Sequence, residues 1–232
     1  YINGVRATGG SRVFADFVPN EDATVIANLK AAGGIFLGTL NTMEFHMGGT
    51  INFPYGIPRN PWNTELTPGG SSSGPGAAVA AGLCSGALGG DTGGSIRGPA
   101  SLCGINGLRQ TWSRVSRYGV FALCWSMDCV GPMARSAEDC ALMLQCMAGY
   151  DAKDPTTSAE PVPDYTASLD GDLSGIRVGI VEEMVGEGVE EETRGMVEQA
   201  AAVLGDLGAK VGRVSMPLVK YAQLIHTVVV DS

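Results

Sequence analysis

Two glycine-framed serine clusters are the residues of this sequence best suited to nucleophilic chemistry. They occupy residues 69–74 (GGSSSG) and 91–97 (DTGGSIR), and Ser71 and Ser95 lie 24 residues apart. A serine hydroxyl is a weak nucleophile until a neighbouring group activates it. Two serines held by glycine-rich loops therefore predict a nucleophile beside a second hydroxyl.

The segment between the clusters must hold the two serines in place. Residues 77–82 (AAVAAG) carry no charge and no long side chain, so they can pack against backbone on all sides. We therefore expect a buried helix over 77–82, with one serine loop at each end. The surrounding glycines allow backbone to approach backbone or substrate closely.

On these motifs the sequence resembles the amidase signature family of serine hydrolases. The match comprises four motifs: residues 69–72, 91–97, 103–104 and 107–108. It extends over about residues 4–132 and continues more weakly beyond them. The resemblance implies an α/β fold with a mixed, mostly parallel open sheet that is covered by helices on both faces. It also implies that 1–232 is a single amidase signature domain, truncated at both ends.

The resemblance also implies roles for individual residues. Ser95 is the nucleophile, and Ser71 is a bridging serine that follows a cis peptide bond. The third catalytic member is a lysine, which is expected just before Tyr1. The tetrahedral oxyanion would be bound by the backbone N–H groups of four residues: Thr92, Gly93, Gly94 and Ser95. Three side chains would support this loop: Ser72, Asp91 and Arg97.

Two further stretches are candidates for the substrate pocket. Residues 43–50 resemble the loop that lines the family's acyl pocket, which assigns Met47 and Gly48 to the pocket. Trp125 either reaches the substrate cleft or packs in the core. His46 is better interpreted as a loop histidine bonded to backbone than as a general base, because the resemblance supplies another base.

Periodicity and turn signals predict the remaining elements. Helices are expected over residues 21–32, 136–147 and 191–207, the second with a capping-box-like start at Ser136. Buried strands are expected over residues 35–37 and 176–181, and a further strand over residues 210–214. Residues 151–174, rich in Asp, Pro, Ser and Thr, predict a surface crossing.

Composition excludes several classes of function. A net charge of −9 and a pI near 4.7 argue against a nucleic-acid surface, and no apolar run approaches membrane-spanning length. Six cysteines without a CxxC pair favour buried thiols in a reducing compartment, which predicts a cytoplasmic protein. Only two histidines are present, and their spacing indicates no zinc site. We expect neither metal nor cofactor.

The leading hypothesis is a hydrolase of linear carboxamides, with esters and carbamates as further candidate substrates. The alternative within the family is an amidotransferase subunit that acts on glutamine and charged tRNA, because residues 113–119 (SRVSRYG) resemble that subunit. A nucleotide phosphate loop would need a Gly-Lys pair, which the sequence lacks. A catalytically inactive scaffold of the same fold is a further alternative.

The expected partners follow from the leading hypothesis. They are a small-molecule amide substrate and flanking polypeptide of the same protein, which would complete both the site and the sheet. Neither a nucleic acid nor a membrane is expected, and a homodimer is left open.

Overall fold

The computed structural model describes residues 1–47 and 53–230 of the chain. The chain divides into two compact units, Tyr1–Thr166 and Ala167–Ser232. The division falls within residues 151–174. No helix in the described ranges is long and apolar enough to span a membrane.

Within its described residues, the first unit combines four α-helices with a three-stranded antiparallel sheet. The helices are α1 (Thr24–Ala31), α2 (Ser73–Ala80), α3 (Arg97–Cys103) and α4 (Ala137–Met147). The strands are β1 (Gly86–Asp91), β2 (Asn106–Gly107) and β3 (Cys129–Ala134), in the order β1-β3-β2. Asp91, the last residue of β1, pairs with Cys129, the first residue of β3. The second serine cluster therefore begins at the end of β1, beside the start of β3.

The core of this unit lies between α1, α4 and β3. Val25 and Ile26 of α1 pack in one cluster with Leu144 and Met147 of α4 and with Val130 of β3. All six residues of β3 are buried. The central strand β3 therefore packs against the hydrophobic core. Its neighbour β1 leads into the second serine cluster.

Helix α4 confirms the predicted helix start. The Ser136 hydroxyl accepts a hydrogen bond from the N–H of Asp139 at 3.0 Å. This bond satisfies one of the amide groups that the first turn of a helix leaves open. The helix ends at Met147, as the sequence predicts.

The small-residue helix is displaced from its predicted position. The sequence predicts it over 77–82, whereas α2 spans Ser73–Ala80 and residues 81–82 are exposed. Its buried residues include Ala78 and Val79 as well as the first turn, where Gly74 lies against the backbone of Asn41. A Cβ atom at Gly74 would be 2.5 Å from the Asn41 carbonyl oxygen. The missing side chain of Gly74 permits this close packing at the start of the helix.

The predicted buried strand over residues 35–37 does not form. No described residue pairs with it, and the side chains of Ile35 and Leu37 are 87% and 77% exposed. The prediction is wrong here because an apolar run indicates a preference for burial without specifying a neighbouring strand.

The second unit contains the predicted βαβ arrangement. Its elements are β4 (Arg177–Val181), α5 (Glu191–Asp206), β5 (Lys210–Val214) and α6 (Ala222–Val230). Strands β4 and β5 pair in parallel. Ile180 is the one buried residue of these two strands. The prediction of a buried strand over 176–181 is therefore wrong for the described part of the chain, although the strand itself is confirmed.

Polar side chains anchor the start of the predicted surface crossing. Asp151 accepts hydrogen bonds from the hydroxyl groups of Thr24 at 2.5 Å and Ser116 at 2.6 Å. Asp154 is buried and accepts one from the N–H of Arg117 at 2.8 Å. This segment therefore starts as a hydrogen-bonded turn attached to the body of the first unit.

The six cysteines all lie in the described ranges, and no disulfide joins any two of them. Four are buried: Cys103, Cys124, Cys129 and Cys140. Burial raises the pKa of the Cys129 and Cys140 thiols above the ordinary value. These two thiols therefore pack as small uncharged groups at neutral pH.

Candidate active site

The first serine cluster forms a loop that leads into α2. The peptide bond between Gly70 and Ser71 is cis, as the resemblance implies. The Ser71 carbonyl oxygen accepts hydrogen bonds from the N–H of Met43 at 3.1 Å and from the hydroxyl of Thr42 at 2.9 Å. Thr42 precedes Ser71 by 29 residues, so a distant loop fixes this peptide.

The Ser71 side chain is fully buried, and its hydroxyl has no hydrogen-bond partner among the described residues. A buried hydroxyl without a partner costs about 1–3 kcal/mol. Such groups are rare in folded proteins and call for a physical explanation. No hydrogen bond among the described residues accounts for the Ser71 hydroxyl.

Ser72 joins the two serine clusters. Its N–H donates to the carbonyl oxygen of Ser95 at 3.2 Å. Its hydroxyl donates to the carbonyl oxygen of Gly90 at 3.2 Å and accepts from the N–H of the same residue at 3.1 Å. Because Ser71 directly precedes Ser72, the two predicted catalytic serines lie on neighbouring stretches of backbone.

Asp91 organises the second cluster from inside. Its side chain is inaccessible to solvent. One carboxylate oxygen accepts from the N–H of Gly94 at 2.7 Å, and the other accepts from the N–H of Ile96 at 3.1 Å. The Arg97 guanidinium donates to both oxygens at 3.1 Å. Arg109, which the sequence did not single out, approaches the carboxylate to 3.4 Å.

These contacts determine the charge of Asp91. Burial has the largest single influence and acts to raise the pKa of this carboxyl group, because it disfavours the charged form. The hydrogen bonds from the Arg97 guanidinium and from the N–H groups of Ile96 and Arg97, together with the positive charge of Arg97, outweigh burial in sum and hold the pKa of Asp91 below its ordinary value. The carboxylate therefore stays ionised at neutral pH, and its supporting role in the loop stays a prediction.

The loop after Asp91 offers backbone donors. Gly94 has a φ of +135°, which residues with a side chain rarely adopt. Its N–H donates to a carboxylate oxygen of Asp91 in this structure, and its place among the four predicted oxyanion donors stays a prediction. The N–H groups of Thr92, Gly93 and Ser95 donate to no other described residue. Three of the four predicted donors are therefore without a backbone partner among the described residues.

A small cavity of about 30 Å³ borders the second cluster at Thr92. Its lining is mainly apolar and includes Phe121 and Leu123, together with the charged side chains of Arg117 and Asp128. Asp128 accepts a hydrogen bond from the Thr92 hydroxyl at 2.5 Å across 36 residues of sequence. No local pattern in the sequence could reveal this contact.

The structure separates the three predicted pocket residues. Trp125 lines the cavity and is 74% exposed, so its interpretation as a core residue is wrong. Met47 is exposed and is not part of the lining of this cavity. Gly48 lies outside the described residues. A role in substrate binding stays a prediction for all three.

His46 faces the same cavity. Its backbone N–H donates to the Met43 carbonyl oxygen at 3.0 Å, which fits a loop histidine bonded to backbone, and its Nδ1 lies 3.4 Å from the hydroxyl oxygen of Thr42. Burial lowers the pKa of His46, and the nearby Asp128 carboxylate only partly opposes this effect. The His46 imidazole is therefore neutral at neutral pH.

Comparisons with known proteins cover nearly the whole chain. The family model described as Amidase matches residues 1–231. The chain is 49% identical to a Glutamyl-tRNA(Gln) amidotransferase subunit of Syntrophobacter fumaroxidans, over 98% of this chain and 47% of that protein. The chain thus spans about half the length of the curated relatives it matches.

Solved structures agree with the sequence comparison. The corresponding Glutamyl-tRNA(Gln) amidotransferase subunit of Thermotoga maritima has a TM-score of 0.95 and 39% identity, covering 99% of this chain and 51% of that one. The native peptide amidase of Stenotrophomonas maltophilia has a TM-score of 0.83 and 35% identity, covering 97% and 49% respectively.

Proposed function

Because the chain belongs to the amidase family, we propose that it cleaves the C–N bond of linear carboxamides through an acyl-enzyme on Ser95. Esters and carbamates are further candidate substrates. One observation carries this proposal: the buried hydroxyl of Ser71 has no partner among the described residues, and it lies beside the backbone contact between Ser72 and Ser95.

The proposed reaction begins when the Ser95 hydroxyl oxygen attacks the amide carbonyl carbon. Ser71 takes the proton from Ser95 and passes its own proton to a neutral lysine, which the proposal places before Tyr1. Burial would have to lower the pKa of that lysine toward about 7 to 8. The leaving amine recovers the proton through Ser71 as the C–N bond breaks, and water then hydrolyses the ester on Ser95.

The negative charge that develops on the carbonyl oxygen needs donors that are already in position. The proposal assigns this role to the N–H groups of Thr92, Gly93 and Ser95, because Gly94 donates to Asp91. Loss of a single donor of this kind typically costs about 3 to 4 kcal/mol of transition-state stabilisation. Asp91 serves the reaction indirectly by keeping the loop folded.

A second candidate is the glutamine-cleaving component of an amidotransferase. The 49% identity to a Glutamyl-tRNA(Gln) amidotransferase subunit favours glutamine as the amide and other subunits as protein partners. The run 113–119 supports the same candidate. Both candidates share the acyl-enzyme step on Ser95 and differ in what receives the released ammonia. In either case the proposal places the protein in the cytoplasm, without a metal or cofactor.

The nucleophile can be tested in the intact protein with a fluorophosphonate probe, which labels activated serines. Ser95→Ala should abolish both labelling and amide turnover. Ser101→Ala is the matched control, because Ser101 lies exposed in the next helix, α3. Labelling that persists in Ser95→Ala and maps to Ser71 or Ser73 would contradict the assignment of roles.

Ammonia release distinguishes the two candidates. A free-standing amidase should hydrolyse benzamide without any partner subunit. An amidotransferase component should release ammonia from glutamine, leave benzamide intact and co-purify with further subunits. Glutamine turnover that increases when charged tRNA is added would decide for the second candidate.

A further inference from the structure

Asp128 bridges two loops of the candidate active site. One of its carboxylate oxygens accepts the hydrogen bond from the Thr92 hydroxyl at 2.5 Å. The other accepts the N–H groups of Leu123 at 2.8 Å and Cys124 at 2.9 Å. A single carboxylate thus connects Thr92, in the loop over residues 91–97 (the glycine loop), to the loop that carries Trp125.

The loop that contains Asp128 is itself well anchored. Its last turn closes through hydrogen bonds from the N–H groups of Met127 and Asp128 to the Cys124 carbonyl oxygen, at 3.1 and 2.9 Å. Arg109 donates to the Met127 carbonyl oxygen at 2.9 Å, and Arg117 donates to the Trp125 carbonyl oxygen. Asp128 is therefore a fixed point from which Thr92 can be held.

Thr92 lies at the beginning of the glycine loop, directly after Asp91 of β1. Asp91 holds its far end through Gly94, Ile96 and Arg97. Near its beginning, the exposed Gly93 contributes no side chain that could fix the backbone. The Thr92 hydroxyl is thus the side-chain contact that restrains the first half of the loop, among the hydrogen bonds of the described residues.

We infer that Asp128 is a positioning residue, which fixes Thr92 so that the N–H groups of residues 92 and 93 point at the developing oxyanion. This inference rests on the proposed function, since it assigns a purpose to donors which that function requires. A donor gains most when it is held in place before the reaction begins, because no reorganisation is then needed in the transition state. Asp128 touches neither substrate nor proton in this scheme.

The test uses the rate at which a fluorophosphonate labels Ser95 in the intact protein, because phosphonylation also develops charge on an oxygen in the oxyanion site. Thr92→Val removes the hydroxyl at nearly constant volume and should slow labelling about 10- to 100-fold, the scale of a misplaced donor. Thr92→Ser keeps the hydroxyl and should restore most of the rate. On an amide substrate, the same loss should fall on kcat and leave KM nearly unchanged.

A double-mutant cycle tests whether Asp128 acts through Thr92. Asp128→Asn should slow labelling in the wild-type background and add little in the Thr92→Val background. Asp151→Asn is the matched control, because Asp151 also binds hydroxyl groups and a backbone N–H but lies at Thr24 and Ser116. It should lower the melting temperature and leave the labelling rate unchanged.

Several outcomes would overturn the inference. Thr92→Val that labels at the wild-type rate would do so, as would Thr92→Ser that is as slow as Thr92→Val. Equal slowing by Asp128→Asn in both backgrounds would show that it acts elsewhere. Ser95→Ala distinguishes failure of the inference from failure of the proposed function. If Ser95→Ala is still labelled at the wild-type rate, the proposed function itself fails. If Ser95→Ala is not labelled but Thr92→Val is labelled at the wild-type rate, the inference alone fails.

Discussion

The two serine loops are held by different forces. The loop over residues 91–97 folds around the buried carboxylate of Asp91, which binds three backbone N–H groups and two guanidinium groups. The loop over residues 69–74 is held by neutral contacts: the Ser71 carbonyl oxygen accepts from Thr42 and Met43, and Gly74 lies against the backbone of Asn41. One loop should therefore respond to charge, and the other to volume.

The largest expected effect comes from removing the charge in the loop over residues 91–97. Asp91→Asn keeps the shape of the side chain but leaves Arg97 and Arg109 without their anion. Breaking a buried ion pair from one side costs about 3 to 5 kcal/mol. We expect about 3 kcal/mol here, because the half-exposed Arg97 can return to water. The free energy of unfolding in urea measures this loss, and a loss near zero would show that the loop does not depend on charge.

A smaller effect should follow from adding volume to the loop over residues 69–74. In Gly74→Ala the new Cβ would meet the Asn41 carbonyl oxygen at 2.5 Å and its amide nitrogen at 2.6 Å. Neither backbone atom can rotate away, so we expect a loss of about 1 to 3 kcal/mol through overpacking. Urea unfolding again provides the measurement.

Gly98→Ala is the control for the volume argument. Gly98 lies in α3, and a Cβ atom there would meet no described atom within 4 Å. Alanine is favoured over glycine in a helix by about 1 kcal/mol, so this variant should be as stable as the wild-type protein or more so. Equal destabilisation by both substitutions would refute the role of close packing at residue 74.

The smallest effect, and the sharpest distinction between the loops, concerns pH. The pKa of Asp91 is lowered in the folded protein, so its charge stabilises the fold above the unfolded-state pKa of about 3.9. That contribution is lost as the pH falls from there through the folded-state pKa. The stability difference between wild-type protein and Asp91→Asn should therefore shrink in this window, whereas the difference for Gly74→Ala should not change. Urea titrations between neutral pH and the acid limit of folding would reveal either trend.

The sequence predicted some regions of the structure more accurately than others. Its motifs identified the family, and the fold of the described chain is that of the amidase signature enzymes over about half their length. Helix α4 starts at its Ser136 cap and the pair β4–β5 is parallel, as predicted. These features rest on interactions within a few residues, or on a pattern that repeats along one element, and both are visible in the order of amino acids.

Tertiary structure alone decided the features that depend on distant neighbours. Residues 35–37 are apolar, yet no strand partner reaches them in the described chain. Gly94 is suited by type to an oxyanion site, yet Asp91 takes its N–H. The bond between Thr92 and Asp128 joins residues 36 positions apart. The sequence by itself determined which residue types are present and how they are spaced, whereas the path of the folded chain determined which polar groups meet and which of them remain free to act.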